Sequence, residues 1–326
     1  MSLLTRVWIP DRFLVGLVVA VVLATLVPAD GSVAVGFSVL TKIAIALLFF
    51  LHGAKLDRST VIAGMVHWRL HLVVISFTYL VFPVVGSSLG LLPTEVLQPE
   101  LYVGFLYLCF LPSTIQSSIA FTSMGGGNVP AAICSATLSN LLGVVVTPLL
   151  CGLFLAGASG GISFETFYSI AIQILLPFVV GQMVRPQMQS FLARFKTIVG
   201  LVDRGSVLLV VYTAFSSAVV SGLWTRVSPG SLVLVSVISF IMLVVIFFAA
   251  MYCSRVVGFS RADEICIVFC GSKKSLASGI PMASVIFAGH NLGEILLPVM
   301  IFHQIQLMIG AVLAQHWGQK AKALEE

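Results

Sequence analysis

The sequence predicts an all-α integral membrane protein of ten transmembrane helices, arranged as two five-helix repeats, residues 1–156 and 157–326, of opposite membrane sense. Three observations predict it. Of 326 residues, 59% are hydrophobic and 9% charged, where an ordinary soluble domain carries about 25% charged residues. Apolar blocks of roughly 17 to 25 residues recur along the whole length, the span a helix needs to cross about 30 Å of hydrocarbon. The loops between the blocks alternate in sign. On the side of the N-terminus lie Arg6, Arg12, Lys55, Arg58, Arg69, Arg185, Arg194, Lys196, Arg204, Arg255, Arg261, Lys320 and Lys322, while the opposite side carries Arg226 alone, with Asp30, Glu95, Glu100, Glu165 and Glu294. Positive loops stay in the cytoplasm, so both termini are expected there, with an even number of spans; in a bacterial source this is the inner membrane.

The spans are read as Phe13 to Val27, Val33 to Leu51, Leu70 to Leu91, Leu101 to Met124, Val129 to Leu155, Phe167 to Met183, Ser206 to Leu223, Leu232 to Cys253, Glu264 to Phe287 and Ile295 to Gln315. The first follows Arg6 and Arg12 and could pass for a signal peptide, but cleavage would leave an odd count. The second contains Lys42, which either lines a pathway or snorkels. The fourth is interrupted by the polar run Pro112 to Ser118, P-S-T-I-Q-S-S, and is tied to the fifth by the short loop Gly125 to Asn128. The two halves join through Gly157 to Glu165. Because five is odd, the second half enters the membrane in the opposite sense, the arrangement of an inverted repeat. The ninth span is then the partner of the fourth, and a short loop, Gly289 to Gly293, ties it to the tenth.

The ninth span holds the stretch Phe269 to Pro281, F-C-G-S-K-K-S-L-A-S-G-I-P, with Lys273 and Lys274 at mid-depth and Gly271, Gly279 and Pro281 bracketing them. A lysine there costs at least about 3 kcal/mol and marks a functional site. The glycines and proline predict a broken helix whose freed backbone lines a cavity. Two interrupted helices at corresponding places in two halves point to a transporter's binding site.

Several classes are excluded. Continuous apolar runs do not match a β-barrel, and no polar stretch is long enough for a soluble domain. The net charge of +5 sits in short loops, not in a nucleic-acid-binding face. Six cysteines mostly fall inside apolar segments without C-x-x-C spacing, which argues against disulfides and zinc. Enzymatic motifs such as H-E-x-x-H are missing, so a membrane enzyme is not expected, and neither is a cofactor.

At the two interrupted segments the chain resembles the bile acid:sodium symporter family. Pro112 to Ser118 stands where that family has P-G-G-T-A-S-N, followed here by Gly127-Asn128-Val129, Ser135-Ala136-Thr137 and Thr147-Pro148. Phe269 to Ser275 stands where it has E-x-G-x-Q-N-S. The resemblance implies discontinuous helices four and nine that cross, a core domain of helices 3–5 and 8–10, and a panel of helices 1, 2, 6 and 7. It implies sodium sites behind the crossing, near Ser117, Ser118, Thr137, Phe269 and Cys270, but with the sodium ligands largely replaced: Phe269 stands for a glutamate, Lys273 for a glutamine, Lys274 for an asparagine and Thr78 for a glutamine of span three. The chain is similar to a lysine-bearing branch of the family.

Two readings of the lysines stay open. In one, the Lys273 ammonium occupies a vacated cation position beside Gln116, Ser117, Ser118 and carbonyls at the breaks, so that proton exchange replaces sodium exchange. In the other, both ammonium groups and the half-helix N-termini bind an anion directly. A static ion pair lacks a carboxylate at membrane depth. His303 and Gln306 of span ten share a face and could relay a proton. The expected binding or coupling site is therefore Lys273, Lys274, Ser272, Ser275, Pro112, Thr114, Gln116, Ser117, Ser118, Thr78, His303 and Gln306. The expected function is a secondary-active, symporter-like carrier of a small organic anion, coupled to Na+ or H+ and working in the bilayer as a monomer. A gated channel or a regulator of ion homeostasis on the same scaffold is the alternative.

Overall fold

The computed structural model describes residues 12–55, 67–155 and 171–325. It is all-helical, with no strand among the described residues. Among the described residues twelve helices follow in chain order: α1 (Arg12–Leu26), α2 (Gly31–Lys55), α3 (Trp68–Leu91), α4 (Pro99–Phe110), α5 (Ile115–Met124), α6 (Val129–Leu155), α7 (Leu176–Arg194), α8 (Lys196–Val220), α9 (Pro229–Val257), α10 (Arg261–Gly271), α11 (Leu276–Ile286) and α12 (Leu292–Glu325). A π turn, Phe77–Val81, lies inside α3, another, Ala171–Leu175, leads into α7, and a single turn, Leu223–Arg226, follows α8.

The ends of these helices follow local chemistry. Pro99 and Pro229 sit in first turns, where a missing N–H costs nothing. Ser228 caps α9 by accepting from Ser231 N, Ser260 caps α10 by accepting from Asp263 N, and Ser275 caps α11 by accepting from Ser278 N. Gly258 closes α9 at a φ of 81°, a left-handed conformation that glycine adopts without strain.

Among the described residues, six helices are long and apolar enough to cross a membrane, Gly31–Lys55, Trp68–Leu91, Val129–Phe154, Lys196–Val220, Pro229–Val257 and Leu292–Lys320, and the bent pair α4 and α5 makes a seventh. The protein is thus an integral membrane protein. The remaining three of the ten expected spans fall short for identifiable reasons. The helix α1 has 15 residues; the start of the sixth expected span, 167–170, lies outside the described residues; and α10 and α11, of 11 residues each, are parted by a break that carries Lys273 and Lys274. The joining loop Gly157 to Glu165 also lies outside them.

Some boundaries shift. The seventh expected span begins at Lys196 instead of Ser206, and α7 runs on to Arg194 through Pro186. Hydrocarbon limits the apolar run and not the helix, so charged turns continue into the headgroup region.

Helices α1, α2, α7 and α8 pack on one another, and α3 to α6 pack with α9 to α12. The closest approach is between α2 and α7, where a Cβ added at Gly53 would collide with the Phe178 carbonyl and one at Gly181 with the Phe50 carbonyl. Small residues allow such backbone contact within a bilayer. Outer faces stay apolar and uncovered, as at Phe248 and Val233 of α9, and Lys42 points outward too.

Candidate functional site

The helix pair α4 and α5 bends by 63° at a four-residue break, Leu111 to Thr114. A second four-residue break, Ser272 to Ser275, separates α10 from α11. Both are shorter than the polar and glycine-marked stretches predict. Gln116, Ser117 and Ser118 lie within α5, and Gly279 and Pro281 lie within α11. Gly279 instead gives Leu111 room: a Cβ there would come within 2.5 Å of a Leu111 methyl.

A break inside the bilayer strands carbonyls at one helix end and N–H groups at the next, and each must find a partner. The Ser275 N–H donates to the Pro112 carbonyl at 2.8 Å, so the two breaks bond directly where they cross. At the end of α10, the Ser118 hydroxyl donates to the Phe269 carbonyl at 3.1 Å and the Ser113 hydroxyl to the Cys270 carbonyl at 2.6 Å. At the end of α4, the Thr147 hydroxyl donates to the Phe110 carbonyl at 2.7 Å. Asn140 of α6 donates to the Ser113 carbonyl at 2.6 Å and accepts from the Ser278 hydroxyl at 3.0 Å, which joins the two half-helices through one amide. The Ser272 hydroxyl returns to the Val268 carbonyl of its own helix. Pro112 packs beneath Gly143, where a Cβ would sit 2.8 Å from its ring.

The two lysines are fully buried and diverge. Lys274 Nζ donates to three main-chain carbonyls, Thr78 at 2.8 Å, Cys109 at 2.7 Å and Leu111 at 2.8 Å, and lies 4.1 Å from the centre of the Phe82 ring. An ammonium has three N–H donors, and all are used. Thr78 therefore serves through its backbone; its hydroxyl turns back to the Val74 carbonyl. Lys273 Nζ reaches the Gln306 carbonyl at 3.3 Å and faces the rings of Phe121 at 4.1 Å and Phe269 at 5.8 Å. Among the described residues, neither amine pairs with a carboxylate.

Gln306 reads the unwound backbone between the lysines. Its Oε1 accepts from Lys274 N and its Nε2 donates to Lys274 O, both at 2.9 Å. The same Nε2 lies 2.9 Å from His303 Nδ1. Both amide hydrogens are then donated, so Nδ1 is the acceptor and a neutral ring carries its proton on Nε2.

The place where the resemblance implies sodium offers a poor ligand set. Phe269 packs in an aromatic group with Phe121, Phe247 and Trp317 at centroid distances of 5.4–6.5 Å. The Ser113 and Ser118 hydroxyls donate to carbonyls, and no group of three His, Cys, Asp or Glu side chains among the described residues could hold a metal. An ammonium a few ångströms away repels a second cation in a poorly hydrated site. Fewer carboxylate and amide oxygens stand here than the resemblance implies for sodium.

A cavity of about 670 Å³ separates α1, α2, α7 and α8 from α5, α6 and α11. Its inner wall sets the polar Thr114, Gln116, Thr137, Asn140, Ser275 and Ser278 among apolar side chains such as Ile133, Leu141, Val144 and Met282, which places the first turns of both half-helices on it. The first turn of α5 has no side-chain cap, and the Thr114 hydroxyl is buried without a partner. The lysines are not on this wall. At the other end of the cavity stand Lys55, Lys196, Arg204, His52 and Asp203. Asp203 is engaged by Lys55 at 2.7 Å and His52 at 3.3 Å, so the charge there is net positive. Lys55, at the end of α2, and Lys196 and Arg204, near the start of α8, are exposed. Near the end of that helix the two groups are shut, with Gly293 against Ala218 and Arg226 Nε 3.3 Å from Glu294 Oε1.

Of the sequence-predicted residues, the structure brings Thr114, Gln116 and Ser275 to the cavity and Lys274, Thr78, Gln306 and His303 to a buried cluster behind it. Ser117 keeps a buried hydroxyl without a partner. Sequence reasoning left Ser113, Asn140, Thr147, Lys196 and Arg204 out of the site, and also Ser139, whose hydroxyl accepts from Ser113 N at 3.0 Å. Asn140 and Thr147, polar residues inside an apolar helix, carried a readable signal; Lys196 and Arg204 carried only their charge.

Comparison with known proteins gives a consistent result. The model of the SBF-like CPA transporter family matches residues 11–319. An uncharacterized protein of Pseudomonas aeruginosa is 50% identical over 315 residues, covering 96% of this chain and 94% of its own. YfeH of Escherichia coli, named as a candidate symporter, is 49% identical over 315 residues, covering 97% and 95%. The rat protein named sodium/bile acid cotransporter 7 is 34% identical over 325 residues, covering 96% and 94%.

Proposed function

The chain belongs to the SBF-like CPA transporter family, and we propose that it is a secondary-active carrier that moves a small organic anion by alternating access, without sodium at the helix crossing. The observation that carries this reading is the cavity, whose inner wall presents the first turns of two half-helices and whose mouth bears Lys55, Lys196 and Arg204. Helix N-termini favour anions, and a basic mouth raises the local concentration of an anion before it binds. The relatives named as a symporter and a cotransporter support solute transport as the class of activity.

In this reading the chain has ten spans in two inverted repeats, supported by two breaks of equal length at corresponding places. The helices α1, α2, α7 and α8 form a panel that moves against the remainder. Both termini lie in the cytoplasm, on the evidence of loop charge, so the cavity opens inward. The contacts of Arg226 with Glu294 and of Gly293 with Ala218 close the opposite side and part when the carrier turns outward. Lys273, held by a single long hydrogen bond and ring faces, is the group that releases and regains a proton as coupling.

The reading is tested with purified protein in liposomes, following a panel of organic anions under imposed gradients. Saturable uptake that persists when choline replaces sodium, responds to a proton gradient and weakens in Lys196→Gln/Arg204→Gln supports it. An absolute sodium requirement, or non-saturating flux at channel rates, overturns it.

A further inference from the structure

Three main-chain carbonyl oxygens converge on one buried point. Those of Cys109 and Leu111 come from the end of α4, where carbonyls lose their intrahelical partners and the helix dipole is negative. That of Thr78 comes from the π turn Phe77–Val81, where the widened turn disturbs the regular backbone ladder. All three lie 2.7–2.8 Å from Lys274 Nζ, and the Phe82 ring closes a further side at 4.1 Å. Carbonyl oxygens clustered in this way replace the hydration shell of a monovalent cation, and an aromatic face adds to the attraction.

We infer that this is a monovalent-cation site which the chain fills with its own side chain, Lys274 acting as a tethered ion that pins the π turn of α3 and the end of α4 to the second break. The inference stands apart from the identity of the carried solute and from the coupling role of Lys273. Unlike a dissolved ion, a tethered one cannot leave, so the crossing stays assembled in any salt. Removing the side chain to Cβ opens the site to a free cation of ammonium or alkali type, while choline is too bulky to enter.

The test compares the melting temperature of the detergent-solubilised wild type, Lys274→Ala and Lys274→Met in choline, methylammonium, potassium and sodium chlorides at equal ionic strength. The wild type is expected to melt at one temperature in all four. Lys274→Ala is expected to melt lower in choline by about 5 °C or more and to regain at least half of that shift in methylammonium or an alkali cation, since a ligand bound only by the folded form raises its stability. Lys274→Met, whose side chain fills the space without charge, should stay low in every salt. An alanine variant as stable as wild type in choline, or lowered equally in all four salts, overturns the inference. If that variant does not fold in choline, its yield is compared with and without methylammonium during expression and purification. Accumulation with the amine alone supports the site, and accumulation in neither condition overturns it.

Discussion

Lys273 and Lys274 are neighbours of the same chemistry, both fully buried, yet their surroundings are opposite. Lys274 meets three oriented carbonyl dipoles that saturate its donors. Lys273 meets one carbonyl at 3.3 Å, two ring faces and the bare backbone of Gly310, whose added Cβ would lie 2.8 Å from the amine. Oriented dipoles fix a charge at a point, whereas ring faces attract it over a broad area and leave it free to shift. Lys274 is thereby fastened, while the contacts of Lys273 leave it the freedom that the proposed coupling role needs.

Four substitutions would break or sharpen that contrast. Lys274→Met strands three buried acceptors at about 1–3 kcal/mol each, so a loss of at least about 3 kcal/mol is expected in denaturant unfolding of the detergent-solubilised protein; a loss below about 1 kcal/mol would erase the distinction. Gln306→Ala frees the N–H and carbonyl of Lys274 that the amide now satisfies, with an expected loss of about 2–3 kcal/mol by the same assay. Lys273→Gln keeps a donor for the Gln306 carbonyl and should cost about 1 kcal/mol in stability, while proton-driven uptake falls at least about tenfold, or about 1.4 kcal/mol in barrier. Uptake at the wild-type rate with an intact proton dependence would remove the mobile-charge role. Phe121→Leu removes one ring face from Lys273 and should cost about 0.5–1 kcal/mol, with no change in the melting of Lys274→Met beyond simple addition.

The two breaks were legible because each interrupts an apolar run with polar, glycine or proline residues that a continuous spanning helix does not need. Their extent was less so. Gly279 and Pro281 read as breakers but sit inside α11, where Pro281 forgoes a hydrogen bond in mid-helix without ending it and Gly279 makes room for Leu111. The half-helix N-termini begin at Ile115 and Leu276, inside stretches whose polar residues gave no exact start. Thr78 was legible as a site position through the resemblance, but the atom that matters is its carbonyl oxygen, which no side-chain pattern encodes. Ser113 was not distinguishable from the three other hydroxyl residues of its run, because only the crossing shows that it lies against the Cys270 carbonyl.

Composition and block length alone determined that this chain lives in a membrane, because about 30 Å of hydrocarbon admits few other solutions. The sequence also determined that two lysines lie at a break, since no loop near enough could take them. Which amine faces carbonyls and which faces rings was decided by tertiary structure. Outside a helix or strand successive side chains follow no fixed period, so their directions depend on the walls that α3, α4, α5 and α12 build around them.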